Sequence, residues 1–409
     1  MGIKGLNNLI KKYSNDAFFT IPISKLKGKK IAIDAYGWMF ANIIICRQKV
    51  INRTDVTLNE LDENEIIKEF LLMLTTFILK WVNNSITPRF IFDGKNKPIE
   101  KDDVRKERSQ TQKEKKDEID SLYEKISSDI LANQADLVSD LRKKLSSYNP
   151  VNKKIIEAFK SFLDCLGIPW SVAEGDAEQL CASLCIEGKV AAVFSNDTDS
   201  LAYGAPLVIT GFTKGYHKDE VGRSITMLDC VRLDKCLDSL NVNYQTFLDL
   251  CIMCGCDFNN HTNMPRYAAI NSYKLLLPYG SIDKIPLSPK YDITCLNHKR
   301  CREIFSYKSS DKLITIDIIN DNNNNNNNIN NNINNNNNIN YLSSEINIKS
   351  YMNSRDHLIK VGIIDQLDKI YGTFQNFKGS CDGLIEELNF KQINMTCNYK
   401  KPLRLIIVG

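Results

Sequence analysis

Three short apolar runs in this chain each end on aspartate. They read "KKIAIDAYGWMF" with Asp34, "PRFIFDGK" with Asp93, and "KVAAVFSNDTDSLAYG" with Asp197 and Asp199. Runs this short, rich in Ile, Val, Phe and Ala and stopped by a polar residue, read as buried strands. Between them lie helical stretches, Glu63 to Val82 and "NKKIIEAFKSFLDCLGIPW". Strands alternating with helices predict an α/β fold, with a mainly parallel central sheet and helices on both faces. In such sheets ligands gather at the carboxyl ends of the strands, where these aspartates stand.

The rest of the chain narrows the setting. Its 409 residues are 43% hydrophobic and 25% charged, the composition of a globular protein with one large or two ordinary domains. The net charge of +4 is mild, so affinity for nucleic acid must come from a local patch. Thirteen cysteines in a chain of this length, with no signal-peptide core in "MGIKGLNNLIKKY", fit reduced thiols in an intracellular protein. That opening instead spaces Ile3, Leu6, Leu9, Ile10 and Tyr13 as a docked amphipathic helix. The longest apolar stretch, "FLLMLTTFILKWV", is too short to cross a bilayer, so no membrane partner is expected. "INDNNNNNNNINNNINNNNNIN" cannot bury enough surface to offset its ordering entropy and reads as a linker.

More acids occupy corresponding places. Asp176 and Glu178 stand in "EGDAEQLCASL", just ahead of a helical run, and Asp257 ends "CIMCGCDF". On a finished helix, residues two apart point about 200° away from each other, so this pair converges only where loop becomes helix. Seven carboxylates in one place repel strongly unless cations hold them. Two Mg²⁺ ions roughly 4 Å apart would turn them into a phosphodiester-cleaving site, with Mn²⁺ as a substitute. Hard divalent ions take oxygen ligands, and no His or Cys set stands at competing spacing. "CIMCGCD" invites a zinc reading, but without a second Cys/His pair buried free thiols account better for Cys251, Cys254 and Cys256.

The motifs "MGIKGL", "IAIDAYGWMF", "FIFDGK", "LGIPW", "GDAEQLCASL", "NDTDSLAYG" and "GCDF" come in an order and spacing that resemble the flap endonuclease family of structure-specific 5′ nucleases. The resemblance covers roughly residues 1–260 and includes counterparts of all seven acids, with Asp176 where the family usually has Glu. It implies that Asp34, Asp93, Asp176 and Glu178 form most of one metal site and Asp197, Asp199 and Asp257 the other. The implied reaction is in-line hydrolysis of a phosphodiester that leaves a 5′-phosphate. The Asn- and Ile-rich composition is of the kind an A/T-rich genome encodes, such as that of a large DNA virus.

Residues Lys95 to Lys116 hold nine Lys or Arg and five Asp or Glu, a local net charge of +4. Composition alone allows a solvated helical hairpin; the resemblance implies a helical arch over a single-stranded 5′ end. Lys101 and Arg108 match the family's pair of arch cations, with Lys95 and Arg105 as further nucleic-acid contacts. Seven residues make two helical turns, so Lys101 and Arg108 can face the same way. Phe40 stands where the family stacks an aromatic ring on a nucleobase, although a core position beside Trp38 and Met39 is equally open. Gly2 matches the chain end that the family keeps near its active site. After Asp257 the family's Gly-x-Gly hairpin is missing from "NNHTNMPRYAAINSYKLLLPYGSIDKI", although a helix from Arg266, a candidate phosphate contact, fits a degenerate helix-hairpin-helix.

The expected organisation is an N-terminal nuclease region (1–110), a basic arch (95–150), an internal nuclease region (151–285), a linker (286–340) and a C-terminal region without readable chemistry (341–409). The leading expectation is a monomeric Mg²⁺-dependent nuclease acting on DNA flaps, nicks or ends in replication, repair or recombination. Its place would be the nucleus, or a cytoplasmic factory if the genome is viral. Two alternatives stay open: a 5′–3′ exonuclease on nicked DNA or RNA, and a nucleic-acid-binding scaffold without turnover. No sliding-clamp motif is visible in "KKPLRLIIVG".

Overall fold

The computed structural model describes residues 2–306 apart from 15, 58–60, 129–133, 149–152, 216, 220–221, 260, 265–266 and 288–291. Arg266, the asparagine tract and the expected C-terminal region at 341–409 therefore lie outside the described residues.

In chain order the elements are α1 (Leu6–Tyr13), β1 (Phe18–Pro22), β2 (Lys30–Asp34), α2 (Ala35–Arg53), α3 (Glu63–Val82) and β3 (Thr87–Phe92). Next come α4 (Asp102–Ser128), α5 (Gln134–Ser147), α6 (Lys153–Cys165), β4 (Trp170–Val172), α7 (Ala177–Ile186), β5 (Ala192–Phe194) and α8 (Asp199–Ala202). The remainder is β6 (Leu207–Phe212), β7 (His217–Lys218), β8 (Ser224–Ile225), β9 (Met227–Arg232), α9 (Leu233–Leu240), α10 (Tyr244–Cys254), α11 (Ala269–Leu276) and α12 (His298–Ser306). Seven strands form one sheet in the order β1-β9-β6-β5-β2-β3-β4. The five from β6 to β4 run parallel, while β9 and β1 close one edge antiparallel. A small hairpin of β7 and β8 stands apart from it.

Side chains alternate across each strand, so one sequence run feeds two cores. Ile31, Ile33, Phe90, Phe92, Ala192 and Phe194 face the side covered by α2, α3 and α6. Ala32, Ile91 and Val193 face the other side, with α1, α7 and α9 to α12. Near-continuous apolarity in β2, β3 and β5 is what burial on both faces requires. Aromatic rings fill the first core; Trp38 and Phe77 lie 4.7 Å apart and Phe77 and Phe194 5.2 Å apart, centroid to centroid. α3 starts on Asp62, which accepts the Asn64 N–H, and has Glu63 and Glu65 in its first turn, where the helix dipole favours negative charge.

The charged stretch after β3 forms α4 and α5. Their few apolar residues, among them Ile119, Leu122, Leu141 and Leu145, pack with Ile51 and Val56 at the far end of α2. Arg142 adds hydrogen bonds to the carbonyls of Ile51 (2.7 Å) and Thr54 (3.2 Å). At the other end of the chain, Cys301, Ile304 and Phe305 of α12 join the second core. Among the described residues the fold therefore continues at least to Ser306, past the expected boundary at 285. A single short helix with three apolar anchors carries too little periodicity to be separated from a loop in the sequence alone.

Candidate active site

Six of the seven acids stand at the end of a parallel strand or at the start of a helix or 3-10 turn, and Asp197 lies in the loop between β5 and α8. Asp34 is the last residue of β2 and the N-cap of α2, accepting the Gly37 N–H at 3.1 Å. Asp93 follows β3 directly, and its Oδ1 accepts the Ala177 N–H at 2.8 Å. This bond ties the end of β3 to the first turn of α7. Asp176 is the N-cap of α7 with extended backbone and no capping bond of its own, and Glu178 lies in the first turn. Their separation across a loop-to-helix junction lets both side chains turn to the same cleft. Asp197 accepts the Asp199 N–H at 3.1 Å, Asp199 opens α8, and Asp257 opens a single 3-10 turn after α10.

Lys101 marks where these side chains meet. Its ammonium lies 2.9 Å from Asp176 and 3.8 Å from Asp257. Burial pulls the lysine pKa down, but Asp176, Glu178, Asp199 and Asp257 together outweigh it, so the ammonium is held well above its ordinary range. Arg108 reaches the same Asp257 oxygen at 3.7 Å, so the two arch cations lean on one carboxylate.

The acids respond to their environments in opposite directions. Burial, with Asp93 next in weight, pushes Asp34 up to about 7. Burial and then Asp197 and Asp199 raise Glu178, and burial and then Asp197 raise Asp199. Asp197 is raised chiefly by burial. Asp257 goes the other way: burial opposes ionisation, but the bond from His261 and the charges of Lys101 and Arg108 hold it below the usual carboxylate range. Desolvation combined with like charge is the pattern expected of carboxylates gathered for cations.

Among the described residues, no three His, Cys, Asp or Glu side chains are drawn tightly enough around one point to share an ion in this arrangement. The donor set nevertheless fits a hard divalent ion. It is all oxygen, and Asp199 Oδ1 is buried without a hydrogen-bond partner. Cys251, Cys254 and Cys256 are fully or almost fully buried in the second core. Burial pushes the Cys254 thiol up to about 12, which suits a packed thiol better than a zinc ligand.

The remaining sequence candidates fall in different places. Gly2 has φ 93°, in the left-handed region, and a Cβ there would lie 2.0 Å from Asp197 Oδ1. Beside it the Ile3 N–H donates to Thr198 Oγ1 at 2.8 Å, which docks the start of the chain against the acids. Trp38 and Met39 are core residues, whereas Phe40 is half-buried with its ring 6.4 Å from that of Tyr36. Lys95 is exposed. Arg105 is spent within the base of the arch, donating to the carbonyls of Pro98 (2.9 Å) and Lys101 (3.3 Å) and pairing with Asp102 (2.9 Å).

Three side chains at the cleft escaped the sequence reading. The Lys97 ammonium donates to Asp93 Oδ2 at 2.8 Å, His261 lies 2.8 Å from Asp257, and the buried Tyr203 hydroxyl donates to Asp176 at 3.4 Å. Lys97 and His261 each stand four residues after an acid, a spacing that could have flagged them. Tyr203 carries no such signal, because its partner is distant in sequence.

Comparison with known proteins agrees with this geometry. Residues 1–115 match the XPG N-terminal domain and residues 167–257 the XPG I-region, and the seven acids divide between these two segments. The chain is 32% identical over 287 residues to Flap endonuclease 1 of Cryptosporidium muris, covering 70% of this chain and 57% of that protein's length. It is 32% identical over 295 residues to Flap endonuclease 1 of Debaryomyces hansenii, covering 70% of this chain and 69% of that protein. It is 29% identical over 342 residues to the "Probable RAD2-like endonuclease 369L" of Invertebrate iridescent virus 6, covering 75% and 80%. Acids at the carboxyl edge of a parallel sheet, a basic helical insertion leaning into them and these matches lead to one assignment. The chain belongs to the flap endonuclease family of structure-specific 5′ nucleases.

Proposed function

We propose that this protein is a Mg²⁺-dependent nuclease that hydrolyses DNA phosphodiesters at 5′ flaps, nicks or ends, working inside the cell where DNA is replicated or repaired. The observation that carries this reading is a set of buried, mutually repelling carboxylates at the carboxyl ends of parallel strands, of which Asp176, Glu178, Asp199 and Asp257 act on Lys101 and Asp257 also pairs with Arg108. Asp34, Asp93, Asp176 and Glu178 would hold one ion, and Asp197, Asp199 and Asp257 the other. Once bound, two such ions supply Lewis acidity and lower the pKa of a water molecule at neutral pH.

The chain's own residues do the rest. Lys101 lies on Asp176 and Asp257 and Arg108 on Asp257, and both are placed to exchange these carboxylates for an incoming phosphate. There they would stabilise the charge that grows on its oxygens. Phe40, outside the core, is free to stack on the base beside the cleavage point, an interaction worth about 1–3 kcal/mol. Lys97 and His261 hold Asp93 and Asp257 in place. The turn after Asp257 lacks the glycines that would let backbone N–H groups approach a duplex closely, so grip on the duplex rests more heavily on side chains.

A labelled 5′-flap duplex, a nicked duplex, a Holliday junction and a single-stranded RNA, each with Mg²⁺, Mn²⁺ or chelator, test the reading. Mg²⁺-dependent cutting at the flap junction, abolished in Asp199→Asn with binding retained, is the expected result. Equal, metal-independent binding with no product on any substrate would overturn it.

A further inference from the structure

α12 lies outside both matched family segments, which end at residues 115 and 257, yet it reaches the neighbours of several site residues. The Arg300 guanidinium donates to Glu100, the residue before Lys101, at 2.6 Å. The Ile304 carbonyl accepts from Gln179, the residue after Glu178, at 3.2 Å. The Phe305 ring lies 5.0 Å from that of Phe258, the residue after Asp257, centroid to centroid. It lies 4.9 Å from that of Tyr203, whose hydroxyl donates to Asp176. None of the roles assigned above uses α12.

The ion pair differs from the other contacts because it grips the root of the arch. Glu100 and Lys101 belong to a single 3-10 turn, Ile99–Lys101, from which α4 starts. With three residues per turn, successive side chains point about 120° apart, so Glu100 can face α12 while Lys101 faces the acids. The Glu100 side chain is 18% exposed, and its Oε2 is buried without a hydrogen-bond partner. Burial opposes its ionisation, but Arg300 holds the carboxyl below its ordinary range. Arg300 also pairs with Glu303 of α12 at 3.1 Å, which fixes the guanidinium from its own helix.

Lys101 needs such a tether. In the free protein Asp176 and Asp257 hold its ammonium. Work on a phosphate means giving up those partners, and the place of the lysine then depends on its backbone. Arg105 braces the turn from the arch side, through the carbonyls of Pro98 and Lys101. Arg300 braces it from the body of the protein.

We propose that Arg300 is a positioning residue: through Glu100 it clamps the root of the arch to α12 and keeps Lys101 at the acids when phosphate replaces its carboxylate partners. The proposal rests on the nuclease reading, and it gives a part in the reaction to a helix beyond the matched segments.

The full chain is tested by single-turnover cleavage and binding of a 5′-flap duplex, by melting and by hydrogen exchange. Arg300→Ala should slow cleavage at saturating enzyme about tenfold and leave the duplex Kd within about twofold, since a misplaced group costs rate and not binding. Glu100→Gln should act in the same direction, and it carries the test should Arg300→Ala not fold. The double variant should be no slower than the slower single, because both changes remove one interaction. Arg300→Lys should recover part of the rate. An Arg300 that touched DNA directly would weaken the Kd on removal and tighten it when Glu100→Gln released the guanidinium; that result overturns the proposal. The Lys101 and Asp102 amides, bonded to the carbonyls of Pro98 and Ile99, should exchange about fivefold faster or more in Arg300→Ala. Tm should fall by no more than about 4 °C, as for a half-exposed pair. Unchanged exchange at this turn, or exchange that rises evenly over the whole chain, also overturns the proposal. If wild type cuts no substrate, the nuclease reading falls, and exchange still decides whether Arg300 clamps the turn.

Discussion

Asp199→Asn should make the metal-free protein more stable while destroying its activity. The side chain is 1% exposed, its Oδ1 has no hydrogen-bond partner, and burial followed by Asp197, Asp257 and Asp176 drives its pKa upward, with Lys101 the attractive charge among its neighbours. Asparagine keeps the shape and removes the charge. Burying an ionised oxygen without a hydrogen-bond partner costs more than burying the neutral amide in its place, a difference on the order of 1–3 kcal/mol, so the substitution should return on the order of 2 kcal/mol. For a folded unit of this size that raises Tm by about 2–6 °C. The pH dependence has a definite sign. A native pKa raised above the unfolded value of 3.8 means that ionisation disfavours the native state. The deficit of the wild type against the variant is therefore absent below that value, opens as pH rises above it, and levels off above the native pKa. Saturating Mg²⁺ should reverse the order, since an ion at a hundred times its Kd adds about 2.7 kcal/mol to the protein that binds it. Calorimetric melting in chelator and in Mg²⁺, at acid and neutral pH, measures all of this. A variant that melts below the wild type in chelator at neutral pH would show that the carboxylate is satisfied without an ion, and the reasoning would fail.

Three further outcomes follow from the packing. In Gly94→Ala the new Cβ would lie 2.0 Å from the Ala173 carbonyl oxygen and 2.3 Å from that of Glu174, so urea unfolding should show a loss of about 1–3 kcal/mol. Arg302 holds the fully buried Asp249 through two bonds of 2.6 and 2.7 Å, and Arg302→Ala, which strands that charge, should lose about 3–5 kcal/mol in the same assay. Native alkylation followed by peptide mapping should label Cys295 quickly and leave Cys251, Cys254 and Cys256 unlabelled, because only the first of these four is exposed; rapid labelling of Cys254 would contradict its burial.

Much of the architecture was legible because burial on both faces of a parallel sheet leaves a dense signature. β2, β3 and β5 read as strands from composition alone, and Asp34 and Asp93 stand at the ends where such sheets place their chemistry. α3 was read from Glu63 to Val82, the bounds it has in the fold. Less was legible where a feature depends on a partner far along the chain. The antiparallel edge of β9 and β1 left no mark in either run, because edge pairing is decided by the neighbouring strand. α12 is too short for its period to show, and Arg105 looked like a free cation until its carbonyl partners at Pro98 and Lys101 were in place.

The sequence by itself determined where acids end strands and where a helix begins, because those are local matters of apolar runs, caps and turns. It also carried the family's order of motifs, which long-range contacts do not alter. Tertiary structure alone decided that the buried acids repel one another in one cleft and that Lys101 lies between Asp176 and Asp257. Distances between side chains far apart in the chain follow from how layers pack on the sheet, and no short stretch of residues encodes that packing.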